Sequence, residues 1–547
     1  MKKILPILMG LVAQTSICQT TLNIVPEPVQ IQMHAGSFKF GHAVNIATDQ
    51  GTLHDAVMLN HYLDKFYKLT LKVKKASEVS GQTPSILLSL SRQKNPLPGE
   101  YHLEVSDSHV VINGRDPEAV FYGIQTLLQL LPPDSTAFTG GKGCELPQLA
   151  ILDYPRFQYR GMHLDVGRHF FGVKDIKKFL DYLAWQKFNY FHWHLTEDQG
   201  WRIEIKRYPR LTQIGGFRNG TIIGHYPGTG NDSIHYGGFY TQAEVKEIVK
   251  YASDRYITVI PEIEMPGHSS AAIAAYPQLS CFPDQSTEVK PNTPWAGSRT
   301  GKQVQQTWGV FPDVYCPSEY TFTFLENVLD EVMKLFPSKY IHIGGDECPK
   351  TYWKRSEFCQ QLIKEKHLKN EEGLQSYFIS RIEKYVNSKG RQIIGWDEIL
   401  EGGLAPNATV MSWRGEIGGI NAAKAHHYVI MTPGKYVYFD HAQRHEEDSV
   451  TIGGYLPLDT VYNYEPVPRQ LAQDEQKYVL GAQGNIWTEY MGNWNKVQYM
   501  IYPRMTALSE VLWTPKSERN WDNFKSRLPE VFQRYHLWNV NYYNPLK

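Results

Sequence analysis

The sequence predicts an α/β protein, a (β/α)8 barrel of the TIM type preceded by a small α+β domain. Three observations carry this. From about residue 154 short apolar segments alternate with amphipathic helical patterns, which implies a parallel sheet. Eight such segments recur over roughly 350 residues, the number that closes a barrel. No glycine-rich phosphate loop follows the first of them, which disfavours the runner-up, an open doubly wound sheet.

Taken in order, residues 1–18 read as a secretory leader. Lys2 and Lys3 precede an apolar run from Ile4 to Ala13 that is too short to span a bilayer. Small Ser16 and Cys18 suit a cleavage site, so an exported chain is expected, periplasmic or extracellular. A lipid anchor on Cys18 is the weaker reading, because bulky Ile17 stands where a small residue is needed. No later segment is apolar enough to be an integral membrane span. Residues 19–150 form the expected α+β domain. "GEYHLEVSDSHVVING" reads as two strands around a turn at Ser106–Ser108. "DPEAVFYGIQTLLQLL" reads as a helix, with Asp116 as N-cap, Pro117 at the first position and Glu118 at the positive end.

Residues 151–547 hold the expected barrel and a C-terminal helix. Its strands are 160–166, 190–198, 257–268, 340–347, 391–399, 408–415, 427–433 and 478–489. Helices are expected in "VKDIKKFLDYLAWQKF", "TQAEVKEIVKYASDRY" and around "FTFLENVLDEVMKLF". "EGGLAP" is too short for a helix between strands five and six. The polar connection from Asp440 to Lys477 reads as loop, and "GSRTGKQVQQTWGVF" (297–311) as a loop near the pocket mouth. "SERNWDNFKSRLPEVFQRYHLW" closes the chain as an amphipathic helix.

Composition narrows the function. At 547 residues the chain exceeds one ordinary core. Lys and Arg number 56, as do Asp and Glu, which argues against a nucleic-acid partner. The 34 tyrosines and 13 tryptophans suit a surface that stacks on sugar rings. Without Cys18, Cys144, Cys281, Cys316, Cys348 and Cys359 remain. Cys281 with Cys316 and Cys348 with Cys359 can each close a loop, and sequence alone does not pair them. No clustered Cys/His spacing of the zinc type occurs, so neither a metal nor a cofactor is expected.

In such barrels the reactive face lies at the C-terminal strand ends. Those ends present Asp165, Arg168, Glu197, Asp198, Glu262, Glu264, His268, Asp346, Glu347, Trp396, Asp397, Glu398, Trp413, Arg414, Tyr436, Tyr438, Asp440, Trp487 and Glu489. A lone carboxylate there is usually a helix cap, and a lone tryptophan usually core. Asp165, Asp397 and Glu398 can be such caps or bridges, and His342 reads as packing beside its strand. Repetition shifts the balance, since tryptophan with carboxylate ends strands five and eight. Carboxylates and planar aromatics on one rim make a plausible sugar-processing site.

"YIHIGGDECPK" (340–350) sharpens this. Retaining glycosidases place two carboxyls about 5–5.5 Å apart on opposite faces of the sugar. Adjacent residues on one loop are poorly placed for that. A 2-acetamido sugar can supply its own nucleophile, the acetamide oxygen, which attacks C1 and forms an oxazolinium ring. Asp346 then orients the acetamide and stabilises its positive nitrogen. Glu347 protonates the leaving oxygen and later activates water.

"HLDVGRHF", "HWHLTEDQGWRIEI", "PEIEMPGH", "HIGGDE", "GWDEI", "MSWRG", "YVYFD" and "NIWTE" together resemble the signatures of glycoside hydrolase family 20, the β-N-acetylhexosaminidases. The resemblance covers about Tyr154 to Trp513, and the preceding α+β domain resembles the one such enzymes carry. It implies a retaining, metal-free, exo-acting mechanism on glycans ending in N-acetylhexosamine. It implies Asp346 as the acetamide-polarising residue and Glu347 as the acid/base. Arg168 would grip the hydroxyls at C3 and C4, while Asp198 and His268 would tune the acid, with His268 near Glu347. Trp396, Trp413 and Trp487 would wall the pocket, Tyr438 would bond the acetamide oxygen, and Asp440 and Glu489 would bind outer hydroxyls. Two alternatives stay open: a retaining β-glycosidase with Glu347 as acid and a glutamate such as Glu489 as nucleophile, and a non-catalytic glycan-binding protein.

Overall fold

The computed structural model describes residues 22–79, 83–93, 95–447 and 449–547, so the expected leader lies outside the described residues. The chain begins with a seven-stranded sheet: β1 (Gln30–Phe40), β2 (Asn45–Thr48), β3 (Lys72–Lys75), β4 (Ser85–Leu90), β5 (Tyr101–Val105), β6 (His109–Gly114) and β7 (Cys144–Asp153). Their order is β1-β7-β5-β6-β4-β2-β3. The expected hairpin is β5 with β6, antiparallel, Val105 opposite Val110. Helices α1 (Leu53–Tyr67) and α2 (Pro117–Leu130) cover one face. The Asp116 carboxylate accepts the Ala119 N–H at 2.9 Å, the expected cap.

Eight parallel strands then close a barrel: β8 (Tyr159–Asp165), β9 (Tyr190–His194), β10 (Thr258–Met265), β11 (Tyr340–Gly344), β12 (Gln392–Trp396), β13 (Thr409–Ser412), β14 (Val429–Met431) and β15 (Val479–Gly484). Each matches one of the eight apolar segments. β15 pairs with β8, which seals the sheet and removes its edges. The outer layer includes α3 (Val173–Trp185), α4 (Gln242–Ser253), α5 (Glu319–Leu335), α6 (Glu371–Ser388) and α7 (Ile417–Lys424). α4 opens with a capping box, Thr241 bonding the Glu244 N–H and Glu244 returning to Thr241. α8 (Arg504–Trp513) and α9 (Trp521–Leu537) end the chain. Among the described residues no helix is long and apolar enough to cross a membrane.

The irregular links are also seen. A single 3₁₀ turn, Asp397–Leu400, and a loop join β12 to β13. The connection from Asp440 to Lys477 is mostly loop but carries a short helix, Leu458–Tyr462, whose apolar side packs on α8. The five cysteines among the described residues form no disulfide. Cys281, Cys316 and Cys359 gather in one group, and Cys348 stands outside it.

Candidate active site

The site is built outward from the end of β11. Gly344 and Gly345 take φ of +67° and +94°, a region that L side chains avoid. A Cβ on Gly344 would lie 1.8 Å from a Glu264 oxygen, and one on Gly345 2.6 Å from Ile399. The glycines therefore let the chain turn sharply over packed neighbours, and the turn delivers Asp346 and Glu347 to the rim. Glu347 itself sits at φ +40°, strained for a side chain of its size. Asp346 is buried, while the Glu347 side chain is 39% exposed.

His268 ties this pair to the next loop. Its Nε2 lies 3.6 Å from Asp346 and 3.5 Å from Glu347. Its Nδ1 lies 3.1 Å from Asp198 and 3.2 Å from Glu197. Burial opposes charge on this ring, but Glu197 and Asp198 outweigh it and raise its pKa well above the usual value. The shift favours the protonated ring, which faces both carboxyls. Asp198 also accepts the Ser270 N–H at 2.9 Å, which fixes the loop that carries the histidine.

The two neighbouring carboxyls are driven apart. Burial, with Glu347 adding repulsion against His268, lifts Asp346 to about 7. Burial also opposes charge on Glu347, but the His268 hydrogen bond and charge, with Arg168, hold it below the ordinary glutamate range.

The pair opens on a cavity of about 670 Å³. Arg168, Trp396, Trp413, Tyr438, Asp440, Trp487 and Glu489 line it with Asp346 and Glu347; Asp198 and His268 stand behind it. Arg168 is held by Glu197 at 2.6 Å and lies over the Trp487 ring at 5.1 Å. Its Nε and Nη1, with Asp440 Oδ1 and Glu489 Oε2, are buried and find no hydrogen-bond partner among the described residues. Such groups at one end of a pocket are set for a ligand's hydroxyls. Glu489 lies 4.0 Å from Arg168, and burial raises its pKa despite that cation. Trp396 is fixed by Glu262 through Nε1 at 2.9 Å, and Trp413 by Glu398 at 2.9 Å. Trp413 and Tyr438 are nearly parallel, with centroids 6.2 Å apart.

Asp165 and Asp397 are structural. Asp165 accepts the Gly167, Arg168 and Thr488 N–H groups, and Asp397 accepts those of Trp413 and Arg414. His342 is buried beside its strand, 2.9 Å from Glu262.

This arrangement has a counterpart among known proteins. Residues 157–516 match the catalytic domain of glycosyl hydrolase family 20, and residues 21–154 match its domain 2. The chain belongs to glycosyl hydrolase family 20. A beta-hexosaminidase of Porphyromonas gingivalis is 46% identical over 531 residues, which are 96% of this chain and 65% of that one, so this chain spans just under two thirds of that relative. An exo beta-N-acetylglucosaminidase of Vibrio harveyi, solved with N-acetylglucosamine, is 32% identical with a TM-score of 0.83, covering 96% of this chain and 79% of that one. A beta-N-acetylhexosaminidase of Bacteroides fragilis is 29% identical with a TM-score of 0.77, covering 95% and 96%.

Several parts of this family 20 site were not assigned from the sequence. Glu197 pairs with both Arg168 and His268, although only its position at a strand end marked it. Ile452, Gly453 and Gly454 wall the cavity from the long polar connection, as does His441. The segment 297–311 lines none of the cavity; instead Gln305 donates to the Asp198 carbonyl at 3.1 Å. Loop walls carry no periodicity, so spacing could not place them.

Proposed function

We propose that the chain is an exo-acting, retaining β-N-acetylhexosaminidase that removes terminal β-linked GlcNAc or GalNAc with the substrate's acetamide as nucleophile. The carrying observation is that Asp346 and Glu347 both approach one nitrogen of His268, at 3.6 and 3.5 Å. Carboxyls of adjacent residues that share one imidazole suit two separate tasks, one on the acetamide and one on the leaving oxygen, better than the roles of acid and nucleophile. Glu489 is a poor substitute nucleophile, because burial raises its pKa.

Asp346 holds the acetamide N–H and Tyr438 the acetamide oxygen. That oxygen attacks C1 as the C1–O bond breaks, and Glu347 gives its proton to the leaving oxygen. Water, deprotonated by Glu347, then opens the oxazolinium at C1 and restores the proton. Trp396, Trp413 and Trp487 shield the cation from solvent, and Arg168, Asp440 and Glu489 hold the hydroxyls of a terminal ring. The relatives named as hexosaminidases and the N-acetylglucosamine-bound neighbour support this reading. The leader-like residues 1–18 support export to the periplasm or beyond.

The test is a thiazoline analogue of the cyclised intermediate, assayed against aryl N-acetylglucosaminide and aryl glucoside turnover. Strong competitive inhibition, β-anomer as first product and negligible glucoside cleavage are expected. A sugar trapped covalently on Glu489 would overturn the proposal.

A further inference from the structure

Outside the pocket, three cysteines from distant parts of the chain converge. The sulfurs of Cys281, Cys316 and Cys359 all lie within 4.8 Å of one another, and Cys281 and Cys359 are 3.5 Å apart. They sit in an apolar shell of Val314, Trp353, Ile363 and Leu374. Free buried cysteines do serve as small hydrophobes. Three of them meeting from three segments call for a further account, because tetrahedral zinc with Zn–S of about 2.3 Å sets sulfurs about 3.8 Å apart.

The surroundings suit a cation held by thiolates. Cys359 stands in the first turn of the nine-residue helix Glu357–Glu365, whose positive end favours a thiolate. Ser356 caps that helix, its hydroxyl accepting the Cys359 N–H at 3.3 Å. The Ser356-x-x-Cys359 step has the spacing of a zinc C-x2-C turn, with oxygen in place of the first sulfur. Arg355 adds positive charge nearby, stacking at 5.0 Å on Phe282, next to Cys281.

We infer that Cys281, Cys316 and Cys359 form a structural site for a thiophilic divalent cation, zinc above all, with an oxygen in the fourth position. Binding displaces three thiol protons and leaves a site of net charge −1 beside Arg355 and the helix terminus. The site would staple the loops behind the active centre. Cys281 ends the segment that leaves His268, and the Cys316 N–H donates to the Leu279 carbonyl at 2.8 Å. Tyr315, beside Cys316, donates its N–H to the Pro266 carbonyl at 3.0 Å and accepts from Trp353 Nε1 at 3.0 Å. Cys359 anchors the segment that leaves Asp346 and Glu347.

The test is titration of the reduced full-length protein with cobalt(II), followed by zinc displacement. The expected result is a thiolate-to-cobalt charge-transfer band that saturates at one equivalent and is abolished by zinc. Cys316→Ser should lose the band, and Cys144→Ser should keep it. Ser356→Cys, which completes four sulfurs, should retain metal better against a competing chelator. Absence of the band in the wild-type protein would overturn the inference. So would a disulfide among these three residues in the protein as purified, seen by non-reducing peptide mapping.

Discussion

At the scale of single residues, the protons on Asp346 and Glu347 decide the chemistry. The proposed mechanism needs a proton on Glu347 and charge on Asp346. In the free site burial lifts Asp346 to about 7, while the His268 hydrogen bond holds Glu347 down. Below about pH 7, and down to where Glu347 itself takes up a proton, the pair keeps one proton, mostly on Asp346, the wrong partner for the proposed mechanism. In the proposed mechanism a bound acetamide would correct this, since its developing positive charge favours Asp346 as the anion and the covered Glu347 loses water. Above about pH 7 the shared proton leaves, so kcat/KM should fall there. On the acid side kcat/KM should fall only below the ordinary glutamate range, where Glu347 takes up a second proton. The alkaline limb of kcat should lie higher than that of kcat/KM, and identical limbs would refute the inversion. Asp346→Asn removes the resident proton holder, so its alkaline limb should move to lower pH and kcat should drop about 10²–10³-fold. Glu347→Gln should abolish turnover of a glycan whose leaving group needs a proton. An aryl substrate with an acidic phenol should be partly spared.

At the scale of elements, the strand-to-loop turn after β11 is where shape is most demanding. Gly344→Ala would place a methyl 1.8 Å from the Glu264 carboxylate at φ +67°. Gly390→Ala has a similar φ of +75° and, among the described residues, nothing within 4 Å. Both carry the left-handed cost of about 1–3 kcal/mol. Only Gly344→Ala adds crowding, so denaturant unfolding should show it to be clearly the less stable, with kcat reduced as Asp346 shifts. Equal losses would mean that the Glu264 packing is slack. The same turn shows what was legible. A buried strand running into Gly-Gly-Asp-Glu announces an abrupt rim, because strands have period and glycines have a single steric meaning. All eight barrel strands were readable for that reason, and their ends carried Arg168, His268 and the tryptophans with them. The wall at Ile452–Gly454 was not readable, since its position depends on how a polar loop folds back. Nor was the cysteine group, whose members come from the connection after β10 and the helix that follows β11 and meet only in the folded chain. Glu197 was visible at a strand end, but its grip on both Arg168 and His268 is a property of the closed barrel.

At the scale of the whole molecule, one buried carboxylate joins the two halves. Asp153, at the end of β7, is fully buried. Its oxygens accept from Val29 N–H at 3.2 Å and Tyr101 OH at 2.5 Å in the first domain. They also accept from Lys187 Nζ at 3.0 Å beyond α3 and from Trp513 Nε1 at 2.8 Å at the end of α8. Lys187 is likewise fully buried, and burial pulls its pKa below the usual lysine value despite Asp153. A hub of this kind couples the two domains, because separating them breaks its hydrogen bonds to Val29, Tyr101, Lys187 and Trp513 together. Asp153→Asn keeps the shape and removes the charge, so it should cost about 3–5 kcal/mol in denaturant unfolding. Lys187→Met added to Asp153→Asn removes the orphaned cation as well, and stability should partly return. If the double variant is no more stable than Asp153→Asn alone, the loss comes from the hydrogen bonds of Val29, Tyr101 and Trp513 and not from the ion pair. Fluorescence of the buried Trp513 distinguishes a further case. Its change should coincide with loss of barrel ellipticity in the wild type, and should precede it in Asp153→Asn if the interface opens before the barrel does.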